Sequence, residues 1–479
     1  MADNSPTFQR WDLDRRWVQV PKGRLTVRMV SRPVGTYFPC TLHRNVRFTY
    51  LKRALFTLFL VGALANTQAE EVKLRSLPLK EAAEIALKKH PRISAADLKA
   101  LAARQVIREV RSAFFPTLSA NATAVGTAGD NTRIAAGGLN NPSIFERNAE
   151  GVTLSQLITD FGRTGNLAAS SKSRAQAEEK NAEATREQIL LLVNSAYFSA
   201  LEAQSVLGVA RQTVNTRQAL LDQVQELAKN KLKSDLDVSF ASVNLEEGKL
   251  LLAQAQNDLR AAFTSLSVLL SYPEEQDFEL IDEALPAPLK TPTAQLVGDA
   301  LKQRPELARL RFEVEASLEF AKAEKKLLYP TISAIGSAGV VPFHDSHLPD
   351  NYAAAGVNFN LPLFTGGLYA ARRREAALRA QAAQETLRDE ENNVIREVRL
   401  ARLNVDYTFE RLDLTAKLLA HANQAFDLIQ TRYNLGASSI VELSQAQLNK
   451  TTAEIAQANA KYGYHLQRAI LDFQIGTLR

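Results

Sequence analysis

Residues 115–122 read FPTLSANA and residues 329–336 read YPTISAIG. Five of these residues, Pro-Thr-(Leu or Ile)-Ser-Ala, return in the same order 214 positions later. After each proline, polar and apolar residues alternate. Thr117, Ser119, Asn121 and Thr123 share one face of an extended chain, and Leu118, Ala120, Ala122 and Ala124 share the other. Thr331 and Ser333 oppose Ile332 and Ala334 in the same way. Further on, Ala353, Ala355, Val357, Phe359 and Leu361 interleave with Ala354, Gly356, Asn358 and Asn360. Such period-two runs mark strands with one apolar and one polar face. They suit an outer-membrane barrel, apolar toward lipid and polar toward the lumen. A soluble hairpin packed on a helix fits any one strand taken alone. Two matched pairs favour the barrel, with connecting loops near 126–148 and 341–351. Four strands cannot close a barrel, and open edges are not tolerated in lipid. The chain is therefore expected to oligomerise, three copies giving twelve strands.

The repeat extends in both directions. LPLKEAAEIALKKHPRI (77–93) matches PTAQLVGDALKQRPEL (292–307), so that His90-Pro91 aligns with Arg304-Pro305. Each proline disfavours helix in the residue before it and marks a break between helical segments. From LITDFGR (157–163) and LFTGGLY (363–369) onward the offset is 205: Gly162 meets Gly367, Asp237 meets Glu442, Ala241 meets Ala446 and Asn244 meets Asn449. The expected organisation is a leader over 1–69, a first repeat over 70–271, a linker over 272–292 and a second repeat over 293–479. Between Gly162 and Asp237, and again between Gly367 and Glu442, no proline occurs. Both stretches are rich in Ala, Gln, Glu, Arg and Leu, all good helix formers. Helices of that length must pack side by side to bury an apolar stripe. The segments 238–270 and 443–475 are expected to run back antiparallel.

Charge is unevenly placed. Residues 1–53 carry 11 Lys/Arg and 3 Asp/Glu, whereas the rest carries 47 and 49. The basic balance therefore belongs to the leader, and no nucleic-acid partner is expected. YLKR (50–53), the apolar run ALFTLFLVGALA (54–65) and TQA (67–69) form a secretory signal too short to span a membrane. Its late position suggests an internal start near Met29 or Val46, with 1–45 untranslated. Cys40 lies in the leader, so a cysteine-free exported chain is expected. Methionine occurs only at 1 and 29, and His344 and His347 alone make a weak metal site. No nucleophile, metal or phosphate-binding constellation stands out; neither an enzymatic reaction nor a cofactor is expected.

The paired HP and RP motifs, FFPTLSA and YPTISA, DFGR and FTGG, and YNLGASSIVELSQAQ together resemble the TolC family of outer-membrane efflux proteins over about 76–476. The resemblance implies a mixed α and β membrane protein. Four strands from each chain of a homotrimer would form a 12-stranded barrel, continued by a long antiparallel α-helical barrel in the periplasm. It implies the exit duct of a tripartite efflux or type I secretion system. Its partners would be a periplasmic adaptor, an inner-membrane RND, ABC or MFS-type pump, and outer-membrane lipid. A stand-alone passive channel and a pore-free periplasmic coiled-coil scaffold are the alternatives.

Within that resemblance, the turns between long and returning helices form the periplasmic gate. Asp237 and Glu442 take its acidic positions, and Tyr433 matches a gate-proximal tyrosine. Gln445 replaces a second carboxylate, and Ser438 stands where some members carry a locking arginine. Lys231, Ser234, Gly436 and Ala437 lie in the turns expected to dock the adaptor. Because Lys231 replaces the glycine found at 436, the first turn is expected to be built differently. Arg372-Arg373-Arg374 are expected to meet lipid head groups where helix leaves barrel, with a solvated helix face as the alternative.

Overall fold

The computed structural model describes residues 75–126, 131–133, 143–145, 147–274, 276–344 and 346–478. The leader, with its signal segment and Cys40, lies outside them, as does most of the first expected loop.

The two repeats build the same series of elements, except that the first adds a short strand pair between its two long strands. The first contains β1 (Arg75–Leu77), α1 (Leu79–Lys89), α2 (Pro91–Arg111), β2 (Thr117–Val125), β3 (Asn131–Arg133), β4 (Ser143–Phe145), β5 (Arg147–Thr159), α3 (Arg163–Lys229) and α4 (Asp235–Leu269). After β6 (Phe278–Leu280), the second contains α5 (Thr293–Gln303), α6 (Pro305–Lys325), β7 (Thr331–His344), β8 (Asn351–Asn360), α7 (Leu368–Asn434) and α8 (Ile440–Ile475). Each proline-marked break is real: His90 and Arg304 are extended, with ψ of 122° and 123°, and each caps both flanking helices. Gly162 and Gly367 start the long helices from left-handed backbone, φ 87° and 84°, where a Cβ would be strained. Both α3 and α7 run for 67 residues, roughly 100 Å at 1.5 Å per residue.

The four long strands form one antiparallel sheet in the order β2-β5-β7-β8, so the two repeats meet at β5 and β7. Its register aligns the alternation seen in each strand. Leu118, Leu154, Gly336 and Ala355 form one row across the sheet, and Ala120, Val152, Ala338 and Ala353 another. The opposite face carries rows such as Ser119-Thr153-Ser337-Ala354. One face is thus mostly apolar, broken by Glu150 and Gln156 of β5 and Asn351 of β8, and among the described residues nothing covers it: Leu118 and Val357 are 70% and 69% exposed. In this sheet β2 and β8 are each paired on one side only.

The helices pack through small residues. α3 lies against α2, α4, α6 and α8, while α7 lies against α5, α6 and α8. Ala168, Ser170, Ser173, Ala175 and Ala177 are buried along α3, and the Ser170 hydroxyl donates to the Ala316 carbonyl of α6 at 2.7 Å. Side chains this small allow close helix approach. A second structural element lies in the expected linker: β6 pairs in parallel with β1. Tyr197 of α3, fully buried, anchors the pair through its hydroxyl, which lies 2.9 Å from Leu77 O and 2.8 Å from Ile281 O.

Where the sheet meets the helices, aromatic and apolar side chains gather. Phe161 stacks on Tyr329 at 6.0 Å, and Leu363 and Phe364 are each 90% exposed. One basic residue here has a partner within the chain. Arg372 Nε lies 2.9 Å from Glu324, a carboxylate only 2% exposed, with Arg163 at 3.6 Å. A charge this buried must be paired, and Arg372 and Arg163 both serve Glu324, while the Arg372 side chain stays 43% exposed. Arg373 and Arg374 remain exposed.

Candidate functional site at the helical tip

The turns α3–α4 and α7–α8 lie side by side at the end of the helices remote from the sheet. They share a core of Leu221, Val224 and Leu245 from the first repeat with Tyr433, Ile440 and Leu443 from the second. Asn244 Nδ2 donates to Ser444 Oγ at 2.5 Å across the same contact.

Contrary to expectation, both turns have the same backbone. Lys231 has φ 59° and Gly436 has φ 76°. In the first, Leu232 N donates to Leu227 O at 2.9 Å; in the second, Ala437 N donates to Arg432 O at 2.8 Å. These are the bonds of a left-handed helix ending that satisfies the last carbonyls. Glycine adopts it freely, whereas a side chain there costs about 1–2 kcal/mol. The hydrogen bonds and the packed core below hold Lys231 in that conformation.

The returning helices start alike as well. Ser234 Oγ accepts from Asp237 N at 3.2 Å, and Ser439 Oγ accepts from Glu442 N at 3.2 Å. The two acids then diverge. The Asp237 carboxylate turns back to accept from Ser234 N at 3.0 Å and from its hydroxyl at 2.8 Å, completing a capping box. Those hydrogen bonds from the Ser234 backbone and hydroxyl, aided by the charge of Lys233, hold its pKa below the usual carboxylate range. Glu442 accepts instead from Ser438 through one oxygen and is exposed. Ser439, which sequence reasoning passed over, is the cap; its signal was the spacing Ser-x-x-Glu. Gln445 is exposed and donates to Asn449 at 3.0 Å.

Tyr433 is 3% exposed, with Lys233 Nζ 4.4 Å from its ring centroid. Lysine over an aromatic face is attractive, and here it ties the first turn to the second. No sequence pattern announces that pair. The Tyr433 hydroxyl finds no partner among the described residues. Burial, with the nearby Asp237 charge, raises its pKa. Beside the second turn, α7 and α8 leave a groove of about 830 Å³ lined by Leu418, His421, Ile429, Glu442 and Gln445 among others. The paired turns thus offer three acids: Asp237, committed to a cap, and the exposed Asp235 and Glu442. Among the described residues no cluster of three or more metal-ligating side chains occurs.

Comparison with known proteins agrees with this architecture. The family model described as outer membrane efflux protein matches twice, over 82–271 and 296–477. The chain is 23% identical over 404 residues to the outer membrane protein TolC of Escherichia coli, covering 81% of this chain and 79% of that protein. It is 26% identical over 307 residues to the outer membrane protein OprJ of Pseudomonas aeruginosa, covering 62% and 63%. The crystal structure of the Campylobacter jejuni CmeC outer membrane channel superposes with a TM-score of 0.72 at 17% identity, covering 83% of this chain and 85% of that one. A duplicated sheet-and-helix chain matched by the family model in both halves belongs to the outer membrane efflux protein family, the TolC-like channels of the outer membrane.

Proposed function

We propose that this chain is the exit duct of a tripartite efflux or type I secretion system, carrying cargo from an inner-membrane pump and its periplasmic adaptor to the exterior. The observation that carries this reading is the uncovered apolar face of a four-stranded sheet with two open edges, continued by paired helices about 100 Å long. A barrel in lipid needs its edges joined, and three copies supply twelve strands. The exposed Leu363, Phe364 and Tyr329 suit the membrane boundary, where aromatic girdles sit. Arg373 and Arg374 follow in the chain, placed to meet lipid head groups. Threefold symmetry would make Glu442 and Asp237 two rings of three carboxylates at the periplasmic entrance, favouring cations. Asp237 is the weaker gate candidate because its carboxylate closes a capping box. Glu442, with Ser438 and Gln445 beside it, is the stronger. Lys231, Ser234, Gly436 and Ala437 form the surface offered to the adaptor. The pump is of the RND, ABC or MFS type.

The test is threefold: the mass of the detergent-extracted particle, conductance in planar bilayers, and cargo accumulation in a strain lacking the chain. A conducting trimer whose loss traps cargo supports the reading. A monomer that stays soluble without detergent and never conducts refutes it.

A further inference from the structure

The two tip turns share a backbone but not a surface. From 229 to 237 the first carries Lys229, Lys231 and Lys233 against Asp235 and Asp237. The matching span of the second, 434–442, carries only Glu442. Most charges of the first turn are already engaged within the chain. Lys229 pairs with Glu226 at 2.6 Å, Lys233 covers the Tyr433 ring, and Asp237 closes the capping box. Asp235 and Lys231 are not: both are exposed, and among the described residues neither side chain makes an ion pair or a hydrogen bond. Of the two, Lys231 stands in the loop itself, between α3 and α4. It also holds a left-handed backbone where the twin turn uses Gly436. A strained non-glycine residue with no structural task for its side chain is the pattern expected of a binding residue. Leu232 beside it is 70% exposed, completing a cation next to an apolar contact at the crest of the turn.

Building on the proposed docking of an adaptor, we infer that the two turns are not equivalent docking points. The first, through Lys231 and Leu232, takes an acidic side chain of the periplasmic partner protein. The second, with Gly436 and Ala437, takes an uncharged contact. In a trimer, basic and neutral crests then alternate around the rim and set the rotational register of the partner. A charged pair at such a rim acts mainly on register and encounter rate.

The experiment uses the full chain in its native cells, with a photo-crosslinking residue, benzoylphenylalanine, placed at Leu232 or at Ala437. Partner peptides are mapped by mass spectrometry, and each probe is combined with Lys231→Arg, Lys231→Gly or Lys231→Glu. We expect an adduct at 232 on a partner segment carrying Asp or Glu. Lys231→Arg keeps it, Lys231→Gly weakens it, and Lys231→Glu reduces it at least tenfold, while the adduct at 437 persists. Lys231→Gly suits the backbone better than lysine, so a loss there is not a folding defect. An adduct at 232 indifferent to Lys231→Glu, or on a segment without a carboxylate, overturns the inference and leaves tip docking intact. No adduct at either position removes tip docking itself, and the inference with it. The mass of the detergent-extracted particle is measured for each variant, separating docking from assembly of the duct.

Discussion

The Tyr197 hydroxyl is the main polar link between α3 and the β1–β6 pair, and its removal has a calculable consequence. It lies within hydrogen-bond distance of the Leu77 and Ile281 carbonyls and accepts from Ile281 N at 3.1 Å. Burial pushes its pKa up to about 12, so it remains a neutral donor at any physiological pH. Tyr197→Phe keeps the ring, and hence the edge contact with Phe198 at 5.9 Å, and opens almost no cavity. It removes a shared donor to two carbonyls and orphans the Ile281 N–H. A lost neutral hydrogen bond plus a desolvated orphan amounts to about 2–3 kcal/mol. The effect should be local, loosening β1 and β6 while the long helices stay paired. Hydrogen exchange reads such local opening directly. Amides in 75–79 and 276–283 should exchange about 30- to 160-fold faster, the factor equivalent to 2–3 kcal/mol, with α7 unchanged. Exchange within threefold of wild type would mean that apolar packing alone holds the pair, and the argument from the hydroxyl would fail.

Other outcomes follow from single contacts. Gly339 has no room for a Cβ, which would lie 2.3 Å from Glu150 O and 2.7 Å from the Tyr352 ring; Gly339→Ala should therefore cost about 1–3 kcal/mol and reduce the detergent-resistant oligomer on gels, and wild-type yield would count against this register. His465 is 4% exposed and stacked 4.8 Å from Phe198, and burial lowers its pKa despite the opposing charge of Asp282. Its stabilising share is present above the unfolded value of 6.5 and is lost as pH falls through the lower folded value. The thermal midpoint should drop more steeply below pH 6.5 in wild type than in His465→Phe; parallel pH profiles would remove His465 as the cause. In bilayers, Glu442→Gln should shift cation preference toward neutrality and weaken cation block more than Asp237→Asn does, because only Glu442 is free of a capping box. Asp237→Asn should instead lose about 0.3–1 kcal/mol of favourable charge at the start of α4, seen as faster amide exchange in its first turn. The reverse order in selectivity would reassign the gate.

Much of this chain was legible because its signals are local. The period-two faces around Pro116 and Pro330, the breaks at His90 and Arg304, and the proline-free stretches after Gly162 and Gly367 each follow from backbone preferences within a few residues. The duplication then supplied a second reading of each element. The candidate site was legible only in outline: both acidic positions and Tyr433 could be located, but not their partners. Capping by Ser439 was written in Ser-x-x-Glu and passed over. The left-handed ending at Lys231 was hidden because a lysine there contradicts local preference, and only hydrogen bonds to the preceding turn and the shared core hold it.

By itself, then, the sequence determined element type, repeat order and the two-faced character of the strands, since these depend on neighbours in the chain. Tertiary structure alone decided that three-residue strands about 200 positions apart, β1 and β6, pair beneath Tyr197. It also decided that Arg372 serves the buried Glu324, and that Lys233 spans the turns to reach Tyr433. Contacts of that kind carry too little local preference to be read in advance; they form because a folded neighbour leaves a carboxylate, a carbonyl or a ring with no other partner.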